Sequence, residues 1–195
     1  MLLDRKLFFV KEHVGMLKLT GAYDILDPET NTKIGIAKEE PGIFKYLKFI
    51  IDKKVLPNVV NIYDDETNEV VVSIKKKWSF IRSKVMITGK DGKEIGYFKS
   101  KILSLGGGFR VYDNNDIQFA DVKGDWVGWD FKIVDMSSKI IGTISKKWAG
   151  IGKELFTTAD NYVLSLYEDR EHTDVEAALI LAAGLAIDII YKEGK

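Results

Sequence analysis

Residues 172–195 read HTDVEAALILAAGLAIDIIYKEGK, and the eleven positions from Ala177 to Ile187 hold only apolar side chains and one glycine. Such a run is either embedded in lipid or enclosed by protein. It makes about three helical turns, well short of the roughly 20 residues that cross a bilayer. Glu176 precedes it and Asp188 ends it. Thr173 with Glu176 three residues later is a capping box, which predicts a helix from about Asp174 toward Tyr191. Three turns without a polar residue leave no face for water, so this helix has to be surrounded. Ala178, Ala182, Ala183, Gly184 and Ala186 keep it slim enough for close neighbours. Asp188 is expected to emerge with the helix end, because a buried carboxylate would need a partner.

The rest of the chain supplies the enclosure. One pattern recurs five times: AYDILDPETNTKIGIAK, VNIYDDETNEVVVSIKKKW, VMITGKDGKEIGYFK, FRVYDNNDIQFADVK and FKIVDMSSKIIGTISKKW. Ile25, Ile62, Ile87, Val111 and Ile133 occupy one place in the copies. Two residues later stand Asp27, Asp64, Gly89, Asp113 and Asp135. Alternating apolar residues bounded by Asp, Asn, Gly and Thr signal hairpins. Asp caps such a turn with its own side chain, and Gly accepts the positive φ that a tight turn needs. Five hairpins make ten strands, and LFFV near the start and YVLSLYED near residue 165 add two. An open sheet of twelve twisted strands curls or splits, which favours a closed antiparallel barrel. A bore that wide cannot be filled by strand side chains alone. The carboxy-terminal helix is therefore expected inside the barrel, as its core. Between the first two repeats, Ile43, Phe44, Leu47, Ile50 and Ile51 follow helical spacing between Pro41 and Pro57, predicting a short inserted amphipathic helix. It is expected to cover one barrel mouth, with interfacial insertion into lipid as the alternative.

Bulk properties set limits. A chain of 195 residues is read as one domain, 1–195, with core enough to dispense with staples. The absence of cysteine excludes disulfides, zinc ribbons and thiol catalysis. A formal net charge of zero gives no general pull toward nucleic acid. Asp4, Arg5 and Lys6 stand where an export signal would be apolar, so a cytoplasmic protein is expected.

The helix and the repeats together resemble the tubby-like architecture shared by tubby proteins, phospholipid scramblases and LURP-one-related proteins. The stretch TADNYVLSLYEDREHTDVEAALILAAGLAIDIIYKE is similar to the scramblase and LURP-one pattern, and the I-x-D-x-x-x-x-I-G repeat looks like that family too. The resemblance implies a non-enzymatic protein. Tubby proteins bind phosphoinositides through basic residues on the barrel, which implies anionic phospholipid as a partner. Scramblases carry an acidic segment before the final helix. Here Asp160, Asp169 and Asp174 remain, with Thr158 in place of an acid. Calcium takes six to eight oxygens, so no metal is expected.

Two segments align without gaps, SIKKKW at 73–78 and TISKKW at 143–148. Alternation puts Ile74, Lys76 and Trp78 on one strand face, and Ile144, Lys146 and Trp148 likewise. Lys75, Lys77 and Lys147 fall on the other. From Lys75 to Lys101 there are nine Lys or Arg against two acids. Lysine as point charge and tryptophan at interfacial depth suit an anionic lipid headgroup. The competing reading is a solvated rim whose lysines discourage strand aggregation. A protein-interaction module that docks a partner without lipid is the alternative function. No cofactor is expected: LSLGGGFRVYD runs into a strand rather than a helix, AGIGKEL lacks the first Gly and final Ser or Thr of a P-loop, and DNNDIQFADVKG fails as a calcium loop. His13 and His172 share no metal spacing, and there is no G-x-S-x-G elbow.

Overall fold

The computed structural model describes residues 1–13, 21–40, 57–77, 84–100, 108–125, 128–146, 161–167 and 172–191. The inserted helix expected over 43–51 lies outside them. So do Trp78, Lys147, Trp148, Thr158, Asp160, Asp169 and the side chain of Asp188.

Every repeat folds as an antiparallel hairpin. The first three are β2 (Ala22–Leu26) with β3 (Lys33–Glu39), β4 (Asn58–Asp64) with β5 (Val70–Lys76), and β6 (Lys84–Gly89) with β7 (Glu94–Ser100). The others are β8 (Gly108–Asp113) with β9 (Gln118–Asp125), and β10 (Asp130–Asp135) with β11 (Ile140–Ser145). β1 (Leu7–Glu12) pairs with β2 on one side and with β12 (Tyr162–Leu166) on the other. The sheet therefore closes in chain order into a twelve-stranded barrel.

The turns explain the repeated aspartate. Asp27 and Asp64 each accept the backbone N–H groups two and three residues on; Asp113 and Asp135 accept those two and four residues on. One residue in each of the five turns takes the left-handed conformation: Asn31, Asn68, Gly92, Asp116 and Ser138, with φ from 56° to 74°. These are residue types with little steric objection to it, apart from Ser138.

The Ile-Gly half of the repeat has a separate cause. Register slips once in every hairpin, just after Ile25, Ile62, Ile87, Val111 and Ile133. The extra residue on the returning strand is Ile34, Val71, Ile95, Phe119 or Ile141, each apolar and packed on or within the core. A bulge bends its strand and sharpens the twist. There are five of them, one per hairpin, all next to the turns. The next residue, opposite the aligned Ile, is Gly35, Val72, Gly96, Ala120 or Gly142. Three of the five are glycine, and at Gly35 and Gly96 both the neighbouring strand's backbone and the barrel contents crowd the wall. A Cβ on Gly96 would come within 3.0 Å of Leu179 Cδ2, and one on Gly35 within 3.0 Å of Leu2 Cδ2.

Helix α1 (Asp174–Tyr191) fills the bore. It packs on β5, β6, β7 and β12, and every residue from Ala177 to Ile187 is buried. The capping box forms: Thr173 Oγ1 accepts the Glu176 N–H at 3.2 Å, and Glu176 accepts the Thr173 N–H at 3.1 Å. At Gly184 an added Cβ would lie 2.6 Å from Leu164 Cδ1, so the glycine lets β12 close on the helix. Each enclosed Leu or Ile contributes about 1.5–3 kcal/mol. Among the described residues no helix is long and apolar enough to cross a membrane.

A 3-10 turn at Leu2–Asp4 closes the turn end. Leu2 is buried among core side chains, and its N–H donates to the buried Asp64 carboxylate at 2.6 Å. Burial alone would raise the Asp64 pKa. The N–H groups of Leu2, Thr67 and Glu66 outweigh that and hold it below the usual carboxylate range.

Candidate functional site

The barrel is electrically uneven despite its neutral total. Turn segments 27–33, 64–69, 89–93, 113–117 and 135–139 hold ten carboxylates and four lysines. Cations concentrate toward the opposite end, where β5, β7, β9 and β11 finish.

The two aligned lysine segments end differently from a simple solvent-facing rim. Lys75 and Lys77 are exposed at the end of β5. Lys76 continues the inward face of Val72 and Ile74 and is only 4% exposed. In the second copy, Lys146 is half-buried with its Nζ 4.3 Å from the centre of the Trp129 ring. Its N–H also donates to the Trp129 carbonyl at 3.1 Å. Trp129, held at φ 48°, is itself edge-on to Phe131 and tilted against Tyr162. Lys76 and Lys146 thus anchor the barrel mouth, while Lys75 and Lys77 are offered to solvent.

A group that the linear segments do not reveal lies beside them on the outer wall. Cross-strand register puts Lys84 of β6 opposite Lys99 of β7, and Lys99 opposite Arg110 of β8. All three are exposed. Like charges directly opposite one another destabilise a sheet. Lys84 has some relief, standing 4.0 Å from Glu94 and 3.7 Å from the centre of the Tyr97 ring. Tyr97 stacks on Tyr112 with centroids 4.8 Å apart, and Lys99 lies over Tyr112 at 5.9 Å. The tyrosines make an aromatic floor under the cation row. Burial and then the Asp116 carboxylate push the Tyr97 hydroxyl up to about 12. Lys84 and Lys99 belong to the basic stretch evident in the sequence. Arg110 joins them only through strand pairing, from beyond that stretch.

This surface can hold an oxyanion by charge and present it to several donors at once.

Comparisons with known proteins agree with the architecture. No solved structure matches the chain significantly. A curated relative in Saccharomyces cerevisiae (strain ATCC 204508 / S288c), named altered inheritance rate of mitochondria protein 25, is 20% identical over 228 aligned positions, covering 97% of this chain and 69% of that protein. A family model described as Scramblase matches residues 21–194, from the first repeat through the enclosed helix, and the chain belongs to the Scramblase family.

Proposed function

We propose that this protein is a non-enzymatic barrel that engages membranes peripherally, on the cytoplasmic side, by binding anionic phospholipid headgroups. Family membership supports a membrane or lipid-related role. The observation that carries the finer reading is the row Lys84, Lys99 and Arg110, three opposed cations on adjacent strands above stacked tyrosines. Glu94 beside Lys84 and Asp121 opposite Arg110 offset part of the repulsion within this row, and a phosphate between the cations would turn the remainder into attraction. Exposed Lys75 and Lys77 extend the same surface toward the barrel end. Trp78, Lys147 and Trp148 join the proposal on sequence grounds, as residues at headgroup depth. Lys146, half-buried against Trp129, and Lys76, buried at the end of β5, belong to the proposal at the barrel mouth.

Each cation near an anionic surface contributes about 1 kcal/mol, so three contribute roughly 3 kcal/mol, or about a hundredfold in affinity. The test is vesicle flotation with phosphatidylserine-containing and pure phosphatidylcholine vesicles, at low and high salt. Wild type should bind the anionic vesicles and release as salt rises. Replacing Lys84, Lys99 and Arg110 by Ser should abolish that binding without lowering the melting temperature. Equal binding to neutral vesicles, salt-independent binding, or full binding by the triple variant would refute the proposal.

A further inference from the structure

The turn end of the barrel has a surface of another kind. Among the described residues the exposed large hydrophobics are Met1, Ile117, Met136, Tyr167 and Val175, and all five stand at this end. Three of them border one cleft. Ile117, Met136 and Val175 are 62%, 63% and 42% exposed around a cavity of about 460 Å³ between the β8–β9 turn, the β10–β11 turn and the first turn of α1. Phe119 and Leu179 form its apolar floor. Its ionisable lining is Asp113, Asp135 and Glu176, with no lysine or arginine.

Hairpin chemistry does not account for the apolar rim. The position of Ile117, four after the turn aspartate, is Lys93 in the third repeat and Lys139 in the fifth. Met136, one after its aspartate, corresponds to Lys90 and Asn114. The same turns close equally well with lysine or asparagine there. Two apolar residues stand where sister turns carry polar ones, at the two turns that flank the cleft. Contiguous apolar surface rimmed by polar groups marks interaction sites.

The surrounding charge selects the occupant. Asp113 is held below the usual carboxylate range by the N–H of Ile117 and then that of Asn115, so it is ionised at neutral pH. The positive end of α1 points this way, but Asp174 and Glu176 occupy its first turn. An anionic ligand would meet carboxylates, and an anionic lipid surface would be repelled by the ten acids of the turns. A volume of this order, within the roughly 300–1,000 Å³ of binding clefts, takes an anchoring side chain.

We propose that this cleft docks a protein segment carrying an aliphatic or aromatic anchor flanked by lysine or arginine. The anchor sits on Phe119 and Leu179 between Ile117, Met136 and Val175, and its basic flanks meet Asp113, Asp135 and Glu176. This site is independent of the lipid reading, and lies at the end of the barrel away from the cation row.

The probe is a displayed library of random short peptides selected on the full chain. Selected peptides should share an apolar anchor with adjacent basic residues. Their affinity, read by fluorescence anisotropy, should weaken with salt and fall at least about tenfold in Ile117→Lys and in Met136→Lys, since anchor contacts are worth more than 1 kcal/mol. Both variants install a residue that sister turns carry, so melting should be unchanged. The Ser triple variant of Lys84, Lys99 and Arg110 should bind the peptides as wild type does. No enrichment, enrichment of acidic peptides, or affinity untouched by both variants would overturn the proposal. So would a loss of vesicle binding in Ile117→Lys or Met136→Lys, which would make this end a membrane contact instead.

Discussion

Gly96→Ala adds one methyl group where the barrel wall, its neighbour and its contents meet. The new Cβ would sit well inside contact of the Tyr112 carbonyl oxygen and 3.0 Å from Leu179 Cδ2. The first obstacle is backbone, in β8, and cannot rotate away. Relief requires β8 to move off β7 near the Gly96–Asp113 pairing, or α1 to shift in a bore that is already full. Overpacking of this kind costs about 1–3 kcal/mol, and a weakened ladder hydrogen bond adds about 1 kcal/mol. Alanine returns about 0.5–1 kcal/mol by losing less chain entropy on folding. The net is a loss of about 1–3 kcal/mol. For a chain this long that lowers the melting temperature by about 2–12 °C. Gly21→Ala is the control, because its Cβ would find its nearest atom, a Glu39 carboxylate oxygen, at an ordinary 3.7 Å. Thermal melts followed by circular dichroism compare the two. A Gly96→Ala protein as stable as wild type, or more so, would refute the claim that the contents of the bore dictate a bare wall at this position.

Leu181→Asp should abolish soluble folding, since Leu181 is fully buried and an unpaired carboxylate there costs several kcal/mol; a soluble, cooperatively melting variant would contradict the enclosed helix. Asp64→Asn should destabilise the protein at neutral pH. The folded pKa of Asp64 lies below its unfolded value near 3.9, so its contribution is complete above about pH 4 and disappears as acid protonates the folded carboxyl. Urea titrations across pH should therefore show wild type and variant converging in acid, and a gap that widens there would be inconsistent with the Leu2, Thr67 and Glu66 hydrogen bonds.

Much of the fold was legible because its signals are local. Ala177–Ile187 excludes water by composition alone, and Thr173 and Glu176 mark the helix start within four residues. The aspartate of each repeat caps its own turn, so its meaning is contained in the turn. Other features depend on pairing between distant residues. The Ile-Gly step was visible as a pattern, but its cause, a bulge followed by a position facing Leu2 or Leu179, exists only once the barrel has contents. Alternation separated Lys76 from Lys75 in the sequence, but that Lys76 is buried at the end of β5 follows only from the closed barrel. Arg110 lies nine residues beyond the basic stretch from Lys75 to Lys101, and only the register of β7 and β8 brings it beside Lys99. Ile117 and Met136 fall in separate turns, and their cleft appears only when α1 supplies the third side.

The closure of β1 on β12 has a consequence for how the chain reaches its native state. The first strand cannot find its second neighbour until more than 160 residues have been made, and the side chains that fill the bore come later still. Synthesis proceeds at about 5–20 residues per second, so hairpins formed early wait many seconds as an open sheet with its inner face wet. Pairings this remote in sequence also slow the search once the whole chain is free. The nascent protein is consequently at greatest risk of aggregation in the interval before β12 and α1 leave the ribosome, and its need for chaperones should track that interval rather than the stability of the finished barrel.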